Sequence, residues 1–412
     1  MLHRSPPKVG WVAVLPLTFL AGCAADVPDG TAPSFEVNPF WPQPIEYPNI
    51  FGAVSGVTIA PDGNILILTR YDQAAYGGSA DLNVDRGVSN CCKYAPAVLE
   101  FAPDGSLVRQ WGGPDQGYPW PVSPRGIAVD PDGNIWIGGG PAGTAPVAAG
   151  PEVYAGVAGA GGGEPAPPAE QFDSQVLKFS RTGQHLATFG PTGVAARGST
   201  SMSAFAGAND FAFDGGVAYV ADGFGNGRVA IVDVATGEIT GVIGAHGQTP
   251  SDEPLPPYQP GGPSPQQFRS VTCVELSGDL LYVCDRGNNR VQVFERDGTY
   301  VNEVVIAPAT LGSGSVADIA FSPDRRFMYV ADGMNERVHI VHRESLTLLT
   351  SFGIGGRQPG QFKELGRIVV DAAGNIYTGE DGQGRRIQQF RYLGNGAVPA
   401  ELQGTLWPAE AL

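Results

Sequence analysis

Arginine is scarce in this chain, and where it stands carries the first chemical hint. Lys and Arg together number 25 in 412 residues. Arg125, Arg269 and Arg367 each stand just before an apolar run with strand-like alternation, and Arg70 and Arg286 each stand at the end of one. Ser55, Asn209, Asp210 and Asp318 occupy the corresponding places in the other runs. Guanidinium groups brought together at one opening suit a carboxylate or phosphate, which they hold through paired, charge-assisted hydrogen bonds. The competing expectation is internal: the same arginines could pair with Asp210, Asp222, Asp318 and Asp332 in a network between repeats. Chemistry beyond binding would need an acid or base beside the arginines, and the catalytic candidates are Arg70 and Arg286 for charge stabilisation with Asp210 or Asp318 as base.

What must position these residues is a repeated unit. Tyr219-Val-Ala-Asp222, Tyr282-Val-Cys-Asp285 and Tyr329-Val-Ala-Asp332 are near-copies, each followed within a few residues by Asn226 and Arg228, Asn288 and Arg290, or Asn335 and Arg337. Around each copy runs the order strand, turn, strand, strand, turn, strand. Asp130-Pro-Asp-Gly-Asn134 is such a turn, with proline presetting φ and glycine accepting positive φ. A unit of this kind at roughly 40 to 50 residues is a propeller blade. Blades begin near Val54, Arg125, Asn209, Arg269, Asp318 and Arg367, so the fold class is all-β, a six-bladed propeller of four-stranded antiparallel blades. The last unit lacks an outermost strand. An open ring would leave unpaired sheet edges, so the segment from Ser34 to Trp41 is expected to pair into blade six and close it.

First strands line the channel of a propeller, and its two faces carry different connections. Pro61-Asp-Gly-Asn64, Arg181-Thr-Gly183 and Asp297-Gly298 are tight, whereas 71–96, 138–173 and 245–267 are long and fall on the other face. Loops on a rigid scaffold carry binding, so the long-loop face, where the arginines converge, is the expected site. Within 138–173, the Gly-Ala-Pro-rich stretch from Gly156 to Ala169 reads as filler. Because the motif repeats, Asp222, Asp285 and Asp332 are read as turn caps, and Arg228, Arg290 and Arg337 as packing between blades.

The N-terminus is a different kind of sequence. His3, Arg4 and Lys8 precede the apolar stretch Trp11–Leu20, too short to span a bilayer but matched to a secretory core, and Leu20-Ala-Gly-Cys23 looks like a bacterial lipoprotein box. The expected organisation is a signal peptide over 1–23 with Cys23 lipidated, a linker over 24–33, the propeller over 34–398 and a tail over 399–412. An exported lipoprotein would sit on the periplasmic side of a membrane or on the cell surface. With 59 Gly, 36 Pro, 16% charged and 42% hydrophobic residues, the chain is turn-rich yet able to bury a large core. A net charge of -16 argues against a nucleic-acid partner, which needs a basic face. In an oxidising compartment Cys273 and Cys284 form either a cross-strand disulfide or two buried thiols, and the adjacent Cys91 and Cys92 read as structural or redox-labile.

At these motifs the chain resembles the NHL-repeat propellers over about residues 34 to 395, most specifically in the run Asp285-Arg-Gly-Asn-Asn-Arg-Val-Gln-Val-Phe294. Within that group it looks most like the amidating lyases acting on peptidyl-α-hydroxyglycine, through Phe40-Trp-Pro42, Val54-Ser-Gly-Val57, Arg70 and Asp222-Gly-Phe-Gly-Asn-Gly-Arg228. The resemblance implies active-site roles for Arg70 and Arg286. It also implies a zinc held by three histidines with a tyrosine beside it, and a structural calcium in the channel. Here the histidine positions hold Arg125, Arg269 and Gly366, and the tyrosine position holds Phe224. None of these can ligate zinc or move a proton, so zinc is not expected, while calcium can be held by backbone carbonyls and stays compatible with the sequence. No other cofactor is expected.

Three readings of function follow. The first is an exported, lipid-anchored propeller binding an anionic small molecule or peptide carboxylate through Arg70, Arg125, Asn209, Asp210, Arg269, Arg286, Asp318 and Arg367. The second is a lyase or hydrolase with a non-zinc site. The third is a scaffold for a protein partner at the long-loop face.

Overall fold

The computed structural model describes residues 30–70, 92–141, 172–195 and 197–397. The N-terminal apolar stretch with Cys23, most of 71–96 and 138–173 and residues 398–412 lie outside these. Six four-stranded antiparallel sheets are arranged in a ring. Their inner strands are Ala53–Ile59, Pro124–Val129, Ala208–Asp214, Val271–Ser277, Val316–Phe321 and Leu365–Val370. Successive inner strands contact one another around the ring.

Alternation decides how the blades adhere. Side chains of one strand point to opposite faces of its sheet, so each blade offers an apolar face to both neighbours. Six buried clusters result, one at each interface. Trp136 fills the interface between blades two and three, packing on Phe189, Phe211 and Phe213 with ring centroids 5.0 to 6.0 Å apart.

Ring closure follows the edge argument. Thr31–Asn38 pairs antiparallel with Arg386–Ala397 as the outermost strand of blade six, with Phe35 opposite Tyr392 and Val37 opposite Phe390. Phe35 is buried against Tyr329 and Phe352 of blade five, 5.6 and 5.3 Å away, so the strand is held by packing as well as by its ladder. It begins inside the stretch 24–33 read as linker.

The repeated motif ties the ends of second strands to neighbouring segments in blades three and four. Asp222 accepts from Asn226 at 2.8 Å and Arg228 at 2.9 Å, and Arg228 donates onward to the carbonyls of Ser199, Ser201 and Ala204 in the segment crossing from blade two. Asp285, Asn288 and Arg290 repeat this, with Arg290 reaching the Pro265 carbonyl. Blade five departs from it. Arg337 turns back to the Asn335 carbonyl, and His339 meets Asp332 at 3.0 Å instead.

Of the cysteines, Cys273 and Cys284 are directly opposite across two strands and form a disulfide, with Cα atoms 5.0 Å apart. Cys92 is also disulfide-bonded, and Cys91 lies outside the described residues.

Candidate functional site

The inner strands bring the predicted residues together in two tiers, because every inner strand carries a bulge near its start. A bulge adds one residue and re-aims the side chains around it. Ser55, Gly126, Asn209 and Asp210 are themselves the unpaired residues of the bulges, Cys273, Asp318 and Arg367 are the first paired residues after them, and Arg125 is the last paired residue before one. Arg70 closes the second strand of blade one, and Arg269 and Arg286 flank the strands of blade four. The single ring of mouth residues expected from spacing is thus a mouth and a deeper layer.

At the mouth the counter-ion is Asp381, which spacing alone had not singled out. Arg70 grips both carboxylate oxygens of Asp381 at 2.8 to 3.0 Å, and Arg125 adds a bond at 3.1 Å. Burial alone would raise the Asp381 carboxyl, but the two guanidiniums outweigh it and hold it well below the usual carboxylate range. Its place was available in the sequence, since Asp381 follows Glu380 as Arg286 follows Asp285. The acids proposed as network partners have other duties. Asp222 and Asp332 are fully buried in the motifs above, and Asp210 and Asp318 lie in the deeper layer.

Two of the replacements noted against the lyases touch each other. The Arg125 guanidinium lies 5.0 Å from the centre of the Phe224 ring, a cation–π contact. Arg125 and Arg269 each run past a glycine that no other residue could replace unchanged. A Cβ on Gly140 would stand 2.5 Å from Arg125 Cδ, and one on Gly287 would stand 2.5 Å from Arg269 Cδ. The side chains at this mouth are guanidiniums, which offer no lone pair, and a single carboxylate, Asp381, already held by two of them, so the set does not fit a zinc ion.

Arg269 forms no ion pair among the described residues. It donates to Asn288 Oδ1 at 3.3 Å and to the Pro256 carbonyl, both neutral acceptors. Its nearest carboxylate, Asp285, is committed to Arg290 and Asn288. Burial accordingly pulls the Arg269 guanidinium below its ordinary value, with Asp285 opposing. Arg286 donates to the Gly314 carbonyl at 3.4 Å.

The deeper layer is organised by Arg367, which is 6% exposed and not at a solvated opening. Its guanidinium donates to the carbonyls of Ser55 at 2.8 Å, Asn209 at 3.2 Å and Thr272 at 3.3 Å, and to Asn209 Oδ1 at 2.9 Å. Those carbonyls come from three different blades, so the axis already has a cation of its own. They are the groups an axial calcium would need, and the donor set does not fit calcium at this level. Around Arg367 stand three acids. Asp210 accepts from the Val274 amide, and Asp318 from the Ile319 and Ile368 amides. Burial raises Asp210 to about 6 against the pull of Arg367. Burial raises Asp318 to about 8, with Arg367 opposing and Asp210 adding. Burial, then Asp210 and Asp318, push Glu275 well above the carboxylate range. Asp210, Cys273 and Asp318 are close enough together to suggest a metal site, but the Cys273 sulfur is spent in its disulfide.

Two cavities lie along the channel. A void of about 20 Å³ touches Asp210, Glu275, Asp318 and Arg367. A larger one of about 320 Å³ opens beyond it toward the tight-turn face, lined by Glu275, Ser277, Phe321 and Arg325 among others. Arg70, Arg125, Arg269 and Arg286 line neither. The arrangement separates Arg70 and Arg286 from Asp210 and Asp318, the partners that a non-zinc enzyme reading requires together.

Residues 269–294 match the NHL repeat family. A search of the curated proteins found no match. Among solved structures, virginiamycin B lyase from Staphylococcus aureus is similar at 12% identity over 85% of this chain and 89% of that one, with a TM-score of 0.43. A streptogramin B lyase is similar at 10% identity over 87% and 98%, with a TM-score of 0.46. The chain is a six-bladed β-propeller with an NHL repeat in its fourth blade.

Proposed function

We propose that this protein is an exported, lipid-anchored propeller that binds an anionic small molecule or a peptide carboxylate at the mouth formed by Arg70, Arg125, Arg269 and Arg286. The observation that carries the reading is Arg269, a half-buried cation met only by neutral oxygens while Asp285 is held by Arg290. An incoming carboxylate would supply the missing charge and take two parallel hydrogen bonds from the guanidinium fork. Asp381 acts in this reading as an internal stand-in, holding Arg70 and Arg125 ready beside the ligand.

Titration with acetate, succinate and phosphate tests the site. Arg269→Ala is expected to weaken binding by about 1.5 to 3 kcal/mol, the range for hydrogen bonds to charged groups, with little change in thermal stability. Asp381→Asn is expected to tighten binding, because it removes the competing internal anion. Unchanged affinity in both variants, or a large loss of stability from Arg269→Ala, would favour the scaffold reading.

Anchoring rests on the sequence of the N-terminus. Among the described residues no helix is long and apolar enough to cross a membrane. With Cys23 as the lipidated residue, Cys23→Ser is expected to abolish lipid labelling and move the protein from the membrane fraction to the soluble one. Retention in the membrane after that substitution would count against a lipid anchor.

A further inference from the structure

The 320 Å³ cavity on the tight-turn face is separate from the arginine mouth and has a chemistry of its own. Its volume is at the low end for a small-molecule site. Glu275 reaches both this cavity and the narrow void behind it. No described cation pairs with it. Arg367, the nearest guanidinium in the channel, has given its donors to neutral oxygens of Ser55, Asn209 and Thr272. Asp210 and Asp318 stand behind Glu275 and add negative charge.

A second observation points the same way. Ser277, also in the cavity wall, is 1% exposed, and its hydroxyl has no hydrogen-bond partner. A buried hydroxyl without a partner loses its full hydration, a cost that folded proteins rarely leave standing. At the rim the sign of the charge reverses, since Arg325 lines the cavity and its side chain is exposed. Phe321 supplies an apolar wall between them.

We propose that this cavity is a second binding site, for a small amino-acid-like zwitterion. The ammonium end enters toward Glu275, whose raised carboxyl releases its proton to solvent as the cation arrives and accepts from it together with the Ser277 hydroxyl, and the carboxylate end stays at the rim with Arg325. A simple amine satisfies only the inner half, and a simple carboxylate brings no donor for Glu275 and would have to ionise beside Asp210 and Asp318.

Calorimetric titration of the purified chain with β-alanine, propylammonium and propionate reads this out. β-Alanine is expected to bind most tightly and propionate not at all. Glu275→Gln should weaken both ammonium probes by about ten- to a hundredfold, and Arg325→Ala should weaken β-alanine alone by about tenfold. Ser277→Ala removes the hydroxyl without adding bulk and should weaken both ammonium probes while the fold is retained, which a melting curve checks. Arg269→Ala, at the opposite mouth, should leave all three titrations unchanged, so this site and the anion site can fail independently. Absence of heat with β-alanine and propylammonium at millimolar concentration would overturn the proposal, as would undiminished binding in Glu275→Gln.

Discussion

Arg367→Leu is expected to lower the stability of the folded chain by about 3 to 5 kcal/mol, the range found when one partner of a buried charged arrangement is removed. The loss has two parts. Four oxygens from Ser55, Asn209 and Thr272 lose a donor in a place where little water can replace it. Asp210 and Asp318 lose the guanidinium whose charge opposes the cost of their burial. A single side chain from blade six thereby ties blades one, three and four across the axis, a direction in which the interblade clusters provide no link. Arg367→Lys keeps the charge but replaces a planar fork with a point donor, so it should recover part of the loss and not all of it. Urea unfolding of the two variants beside the native chain measures this. A change below about 0.5 kcal/mol for Arg367→Leu, the scale of an ordinary surface substitution, would show that the axis is not held in this way.

Much of this architecture is legible from the order of residues, for a definable reason. Blade strands, their turns and the closing strand follow from alternation and from Asp-Gly turns, which are local, and from the cost of open edges, which is general. The level at which each residue meets the channel is not local. Arg125, Asp318 and Arg367 occupy similar places before apolar runs, yet the bulge follows Arg125 and precedes Asp318 and Arg367. A one-residue offset sends a side chain to another face or tier, and no feature of the sequence marks where the extra residue is accommodated. Asp381 was hidden for a related reason. Blade six ends its second strand in Glu380 and not Asp, so the motif that would have drawn attention to its neighbour is altered there. Cys273 and Cys284 show the same limit, because either a disulfide or two thiols suited the spacing, and only the register decides between them.

The deeper layer also makes stability depend on pH in a direction opposite to that of most carboxylates. Asp318 and Asp210 have folded values of about 8 and about 6, above the value of about 3.9 expected for Asp in the unfolded chain. Between those limits the folded state binds protons that the unfolded state has released. Stability from these groups is therefore fully present below about pH 4 and is lost as pH rises through about 6 and then about 8. Asp381 works the other way, since its depressed value makes it stabilising above about pH 4 and costly in acid. The native chain should accordingly lose stability from pH 6 to pH 8, by up to about 1.4 kcal/mol per pH unit for each proton involved. Asp318→Asn separates this effect from simple loss of contacts. The amide keeps one acceptor for the Ile319 or Ile368 N–H and forfeits the other, a penalty independent of pH. What must change is the slope: the variant's unfolding free energy should vary less than that of the native chain between pH 6 and 8, so the difference between them moves in the variant's favour as pH rises. Glu275→Gln should flatten the same range through its own raised carboxyl. Parallel profiles for the native chain and Asp318→Asn would mean that Asp318 is ionised throughout, with Arg367 outweighing its burial.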